Sequence, residues 1–221
     1  EYPLLERICD PAEGRVRIVD LGGIAEVRRS GRPAIFVSAH LANWNMLPAA
    51  ATMADIPLTA VYRRQSNPVI DRLMAGWSAA LGCRFLEVSE ATRPLLRELH
   101  AGRSVGLLMD QRYDRGEKIP FFGVPATTTL VPARLACRLD LPLIPARVQR
   151  LEGARFVVTI SRPIRPEPGL DEETAVRAMT ATVNERFARW IAACPDQWLC
   201  AKRRWPRQRL RTPRRGKVSL T

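Results

Sequence analysis

The chain has 221 residues, 46% hydrophobic and 26% charged, enough for one large domain or two small ones with a buried core. No stretch approaches ~18 uninterrupted apolar residues, which excludes an obvious transmembrane helix within it. The net charge of +13 is concentrated late: Lys202 to Lys217 holds nine basic residues and no acidic one.

In chain order, "EYPLLERICDP" opens without an initiator Met and reads as the start of a fragment whose upstream membrane anchor lies outside it. "PAIFVSA" (33–39) is a short apolar run with β-branched and aromatic residues, so a buried strand is expected. The runs 58–63, 84–88, 104–110, 141–148 and 155–161 read the same way. Helical patterns fall between them at about 44–54, 67–81, 91–101, 128–140 and 171–193. Asn67 followed by Pro68 is a cap with proline in the first turn. Asp171, Glu172 and Glu173 place acids at the positive end of the last helix. Alternating strands and helices predict an α/β fold, a largely parallel sheet flanked by helices. The domain is expected over 1–205, with 206–221 a basic, partly disordered tail.

Sites in such sheets form beyond the carboxyl ends of the strands. His40, Arg63 and Asp110 sit at three such ends. A neutral imidazole can take a proton from an alcohol and return it, best when its other nitrogen is held by a carboxylate. Five irregularly spaced cysteines, none in a C-x-x-C pair, and two histidines give no zinc constellation, so no metal or cofactor is expected. The thiols read as reduced and buried, and His100 as an ordinary helix C-terminal residue.

"SAHLANWN" (38–45) resembles the H-x4-[D/E] motif of the lipid A lauroyl/myristoyl acyltransferase family within the glycerolipid acyltransferases. "VYRRQSNPVIDRLM" (61–74), "GLLMDQRYDRGEKIPFFGVPATTT" (106–129), "LPLIPARVQRLEGARFVVTISRPI" (141–164) and "NERFARWIAACPDQWLCAKRRW" (184–205) resemble further blocks of that family, in family order. The resemblance implies transfer of a fatty acyl group from a thioester, commonly on acyl carrier protein, to a hydroxyl of a phosphorylated lipid A precursor. His40 is then the general base, with no metal and no covalent enzyme intermediate. A glycerophospholipid or a phosphatidylinositol mannoside is the alternative acceptor. Arg63 and Arg64 suit phosphate or the oxyanion. Asn67 caps its helix and faces the site. Asp110 and Gln111 position Arg63 or the acceptor. Phe121, Phe122 and Gly123 line an acyl groove or pack in the core. Thr127 to Thr129 cap a helix, and Gln197 and Trp198 pack to hold the C-terminal segment. The family's setting implies the cytoplasmic face of the inner membrane, where the basic segment and exposed apolar positions meet anionic headgroups. Without interleaved aromatics or a recognisable motif, nucleic acid is the weaker partner for the tail.

Asn45 departs from the motif's acid. An amide can accept from the imidazole N–H, so Asn45 is paired with His40 as the second catalytic residue, but it brings no negative charge. The equivalent Asp-to-Asn change in serine proteases, a worked case, costs ~10⁴ in turnover. Three readings stay open: an enzyme in which another carboxylate such as Asp110 substitutes, a non-catalytic lipid- or carrier-binding homologue, or a position altered to trap a complex.

Overall fold

The structure, a computed structural model, describes residues 1–79, 81–87 and 92–205. Helix α1 (Leu5–Cys9) leads into strand β1 (Val16–Asp20) and helix α2 (Gly23–Ser30). Strand β2 (Ile35–Ser38), helix α3 (Met46–Met53) and strand β3 (Leu58–Tyr62) follow. Next come α4 (Pro68–Ala79), β4 (Arg84–Glu87), α5 (Arg93–His100) and β5 (Ser104–Leu108). A hairpin of β6 (Glu117–Phe121) and β7 (Val124–Thr128) precedes α6 (Val131–Leu139). The chain continues through β8 (Leu143–Leu151), β9 (Arg155–Ile160) and the long α7 (Glu172–Ala193).

Seven strands form one sheet in the order β1-β9-β8-β2-β5-β3-β4. From β8 to β4 all pairs are parallel; β9 returns antiparallel to β8, and β1 pairs parallel with β9. The expected α/β architecture and its six predicted strands are present. All four residues of β2 are buried. Ile35 and Val37 join a core beneath α6 and α7, whereas Phe36 joins a second core with α3. Burial on both faces explains why the strand reads as an unbroken apolar run rather than an alternation.

Asp171 caps α7 by accepting from Thr174 N–H at 3.0 Å. The buried face of α7 carries Val176, Met179, Val183, Phe187 and Ile191, at helical spacing. Asn67 caps α4, accepting from Val69 N–H at 2.9 Å. Two units were absent from the sequence expectation. The β1–α2 unit is short and half-exposed, and its helix is capped by Asp20, whose carboxylate accepts from the N–H groups of Gly22, Ile24 and Ala25. Gly23 opens that helix so close to the sheet that a Cβ would lie 2.6 Å from the Ile160 side chain. The β6–β7 hairpin turns at Phe122 (φ 52°) and Gly123 (φ 72°). Such two-residue turns normally carry Asn or Asp first, so a phenylalanine there hides the signal.

Candidate active site

Strands β2 and β5 are neighbours, with Ser38 opposite Leu108. Two residues past each strand end come His40 and Asp110, so the sheet register itself brings them together. His40 Nδ1 lies 2.7 Å from Asp110 Oδ1. The Asp110 side chain is fully buried and that of His40 is 18% exposed. An ionised carboxylate only accepts, which assigns the donor role to Nδ1–H and leaves a lone pair on Nε2. The edge of Trp44 packs on the imidazole, with ring centroids 5.0 Å apart. The other carboxylate oxygen, Oδ2, accepts from the Trp198 indole N–H at 2.8 Å.

His40 lines a cavity of about 640 Å³, within the size range of ligand clefts. Its floor is one face of the sheet: Phe36 and Ser38 on β2, Ala60 on β3 and Gly106 and Leu108 on β5. Its walls are Leu47, Pro48, Ala50 and Ala51 of α3 and Met74, Ala75 and Ser78 of α4. Small side chains on floor and wall leave the space open. Arg63, Gln111, Arg112 and Lys202 also border it. The combination is an imidazole held by a buried carboxylate at a largely apolar cavity that cations also border.

Several sequence expectations need correction. Asn45 borders the cavity, but its amide donates to Asn43 Oδ1 at 2.9 Å, and His40 Nδ1 takes Asp110 instead. The buried carboxylate two residues past β5 is thus the partner that the asparagine was expected to be. Asp110 accordingly stands behind the imidazole, not against Arg63 or an acceptor. Arg63 and Gln111 border the cavity. Asn67 is exposed, bonds its own helix and does not border it. Phe122 and Gly123 line a different, shallow groove against Ala181 and Ala188 of α7. Phe121 is buried in the core between α7 and the C-terminal segment. Arg64 is engaged by Asp71 at 3.2 Å.

The C-terminal segment supplies what sequence reasoning missed. Gln197 holds it as expected, pairing with the Arg150 backbone in both directions. Trp198 was expected only to pack, yet it reaches the dyad. Arg204, near the end of the expected domain and singled out for no role, is 1% exposed. Burial pulls its guanidinium below the ordinary arginine value, opposed by the Asp110 charge. Residues 206–221, the expected basic tail, lie outside the described residues. Among the described residues no group of three His, Cys, Asp or Glu side chains is arranged to hold a metal, and no helix is long and apolar enough to cross a membrane.

Residues 10–207 match the family of bacterial lipid A biosynthesis acyltransferases. The chain is 26% identical over 194 residues to a phosphatidylinositol mannoside acyltransferase of Mycolicibacterium smegmatis, covering 85% of this chain and 62% of that protein. It is 27% identical over 182 residues to the protein of the same name from Mycobacterium tuberculosis, covering 80% and 55%. The chain thus spans little more than half the length of these relatives. In three dimensions it resembles the 1-acyl-sn-glycerophosphate acyltransferase PlsC of Thermotoga maritima, with a TM-score of 0.50 at 15% identity over 87% of this chain and 80% of that one. That likeness concerns the fold.

Proposed function

Since the chain belongs to the bacterial lipid A biosynthesis acyltransferase family, we propose that it moves a fatty acyl group from a thioester to a hydroxyl of a phosphorylated lipid, with His40 as general base. The observation that carries this reading is the His40–Asp110 pair at an apolar cavity. The acceptor hydroxyl hydrogen-bonds to His40 Nε2 while the acyl chain lies along the sheet face. As the hydroxyl oxygen attacks the thioester carbonyl, its proton passes to Nε2, and Asp110 stabilises the imidazolium. The oxyanion of the tetrahedral intermediate needs donors, and Gln111 and Arg63, which border the same cavity as His40, are the candidates. Collapse breaks the C–S bond, and the leaving thiolate recovers the proton from Nε2.

The names of the relatives favour a phosphatidylinositol mannoside as acceptor over a lipid A precursor, and both offer phosphate to the rim arginines. The donor is acyl carrier protein or another acyl thioester, an acidic carrier being suited to a basic chain. The working site is an anionic membrane surface at the cytoplasmic leaflet. The test is transfer of labelled acyl groups from acyl carrier protein and from acyl-coenzyme A to three acceptors: a phosphatidylinositol mannoside, a lipid A precursor and lysophosphatidic acid. Transfer to one of them that disappears in His40→Ala is expected. Equal transfer by His40→Ala refutes the base; no transfer with any pair refutes the reaction.

A further inference from the structure

The segment after α7 runs back over the dyad. Ala42 N–H donates to Gln197 O at 2.8 Å, and Leu199 N–H donates to His40 O at 2.9 Å. Between these two backbone ties, the Trp198 indole reaches Asp110. Beyond them the segment is pinned again. Arg204 donates to Thr127 O at 2.5 Å and to Thr128 Oγ1 at 2.6 Å, with its guanidinium 4.8 Å from the Phe121 ring centre. Trp205 donates to Phe121 O at 3.1 Å. The indole is therefore fixed from both sides and is not free to follow Asp110.

Asp110 has two carboxylate oxygens in a fully buried position, and each needs a hydrogen-bond donor there. His40 supplies one and Trp198 the other. An indole N–H donates and never accepts, so it bonds the carboxylate oxygen and cannot satisfy an O–H pointed at it. It also sets the carboxylate plane, because turning about Cβ–Cγ breaks the Trp198 bond as it breaks the His40 bond. On the reading that His40 is the base, we propose that Trp198 is a positioning residue for the acyl transfer: it fixes the carboxylate of Asp110 so that His40 keeps its proton on Nδ1 and offers Nε2 to the acceptor hydroxyl. Trp198 itself is absent from the cavity lining, so substrate binding should not depend on it.

Trp198→Phe keeps a ring and deletes the donor. Trp205→Phe is the matched control, deleting an indole donor from the same segment that bonds a backbone carbonyl instead of the dyad. A lost hydrogen bond to a charged group predicts a 10- to 100-fold fall in kcat for Trp198→Phe, with KM for donor and acceptor within threefold. Trp205→Phe should stay within threefold in kcat, because the backbone ties at Ala42 and Leu199 and the Arg204 bonds still hold the segment. Nitrogen-15 spectra of the imidazole give a readout independent of turnover: the wild type should show the Nδ1–H tautomer, Trp198→Phe a mixture, and Trp205→Phe the wild-type pattern. Equal losses in both variants, or an unchanged tautomer in Trp198→Phe, overturn the proposal. If His40→Ala is as active as wild type, the base reading has failed; if it is dead while Trp198→Phe has wild-type kcat, only the positioning role has failed. Should Trp198→Phe not fold, the Trp198 indole proton resonance decides: it should shift in Asp110→Asn and hold in Asn45→Ala, and indifference to Asp110→Asn overturns the proposal.

Discussion

Replacing Asp110 with asparagine should be more damaging than loss of charge alone suggests, because Trp198 dictates which way the amide faces. The indole N–H sits 2.8 Å from Oδ2 and requires an acceptor there. In Asp110→Asn the amide oxygen takes that place and the NH2 group turns toward His40 Nδ1, 2.7 Å away in the wild type. Nδ1 must then accept, so the imidazole proton moves to Nε2, the nitrogen that should receive the substrate proton. The analogous change in serine proteases, a worked case, costs ~10⁴ in turnover, about 5 kcal/mol of barrier. A thioester needs less activation than an amide, so a loss of about 10³ to 10⁴ in kcat with little change in KM is expected here. The assay is continuous thiol release from an acyl thioester in the presence of acceptor, with thermal melts to confirm that the variant folds. Asn45→Ala is the counterpart: its side chain bonds Asn43 and not His40, so kcat should fall less than about tenfold. If Asp110→Asn keeps more than a tenth of wild-type kcat while Asn45→Ala is dead, the motif position and not the strand-end carboxylate orients the base, and the reasoning is wrong.

Gly106 lines the cavity from β5, and a Cβ there would meet Leu58 at an ordinary 3.6 Å; Gly106→Val should therefore fold and reduce the usable space. Each methylene excluded costs about 0.8 kcal/mol, so the kcat/KM ratio of a sixteen- to a fourteen-carbon donor should drop by about tenfold, and an unchanged ratio would place the acyl chain elsewhere. The outer face of α4 exposes Val69 (63%), Ile70 (48%) and Leu73 (49%), while the inner face lines the cavity. Leu73→Asp should weaken sedimentation with anionic vesicles about tenfold, high salt should release the wild type, and salt-indifferent binding counts against the membrane reading. Glu98 accepts from Arg103 at 2.7 Å and Thr59 at 2.6 Å, and these bonds hold its carboxyl at about 2 instead of 4.5. Its contribution is complete above the unfolded value and is lost as pH falls through the folded one. Glu98→Gln should cost about 1–2 kcal/mol at pH 7 after allowing for solvent screening and flatten the acid side of a stability-versus-pH curve; an unchanged acid limb would show that the contact contributes nothing.

The strands of the parallel sheet were legible because burial on both faces leaves continuous β-branched runs, and the last helix because Asp171 marks its start and its apolar face repeats at helical spacing. What was not legible is adjacency. Sequence places His40 and Asp110 at strand ends, but only the order β2-β5-β3 makes those ends neighbours. The β6–β7 hairpin was hidden because Phe122 occupies a left-handed position usually given to Asn. The burial of Arg204 was not legible for a related reason: Lys202 and Arg203 before it are basic and exposed, whereas its partners, Thr127, Thr128 and Phe121, are distant in the chain.

If Asp110 orients His40 as the base, an asparagine at position 45 is tolerable for a physical reason. A carboxylate five residues after a histidine must fold back across a strand-to-helix turn to reach it, so its geometry depends on a loop. A carboxylate just past the end of the neighbouring parallel strand reaches the same nitrogen through sheet register, which a one-residue slip would destroy along with the core. Here Ser38 faces Leu108, and the same offset carries to His40 and Asp110. Its second oxygen is then held from across the site by Trp198. Two rigid supports in place of one flexible loop leave Asn45 free to serve the Asn43 turn at the head of α3, where its backbone and side-chain N–H groups both donate to Asn43 Oδ1. Restoring an acid at 45 would therefore bury a second carboxylate beside a dyad that already has one, and like charges in a buried site oppose ionisation. Asn45→Glu should consequently lower activity or stability rather than raise either, and a gain in kcat would show that Asp110 does not complete the dyad.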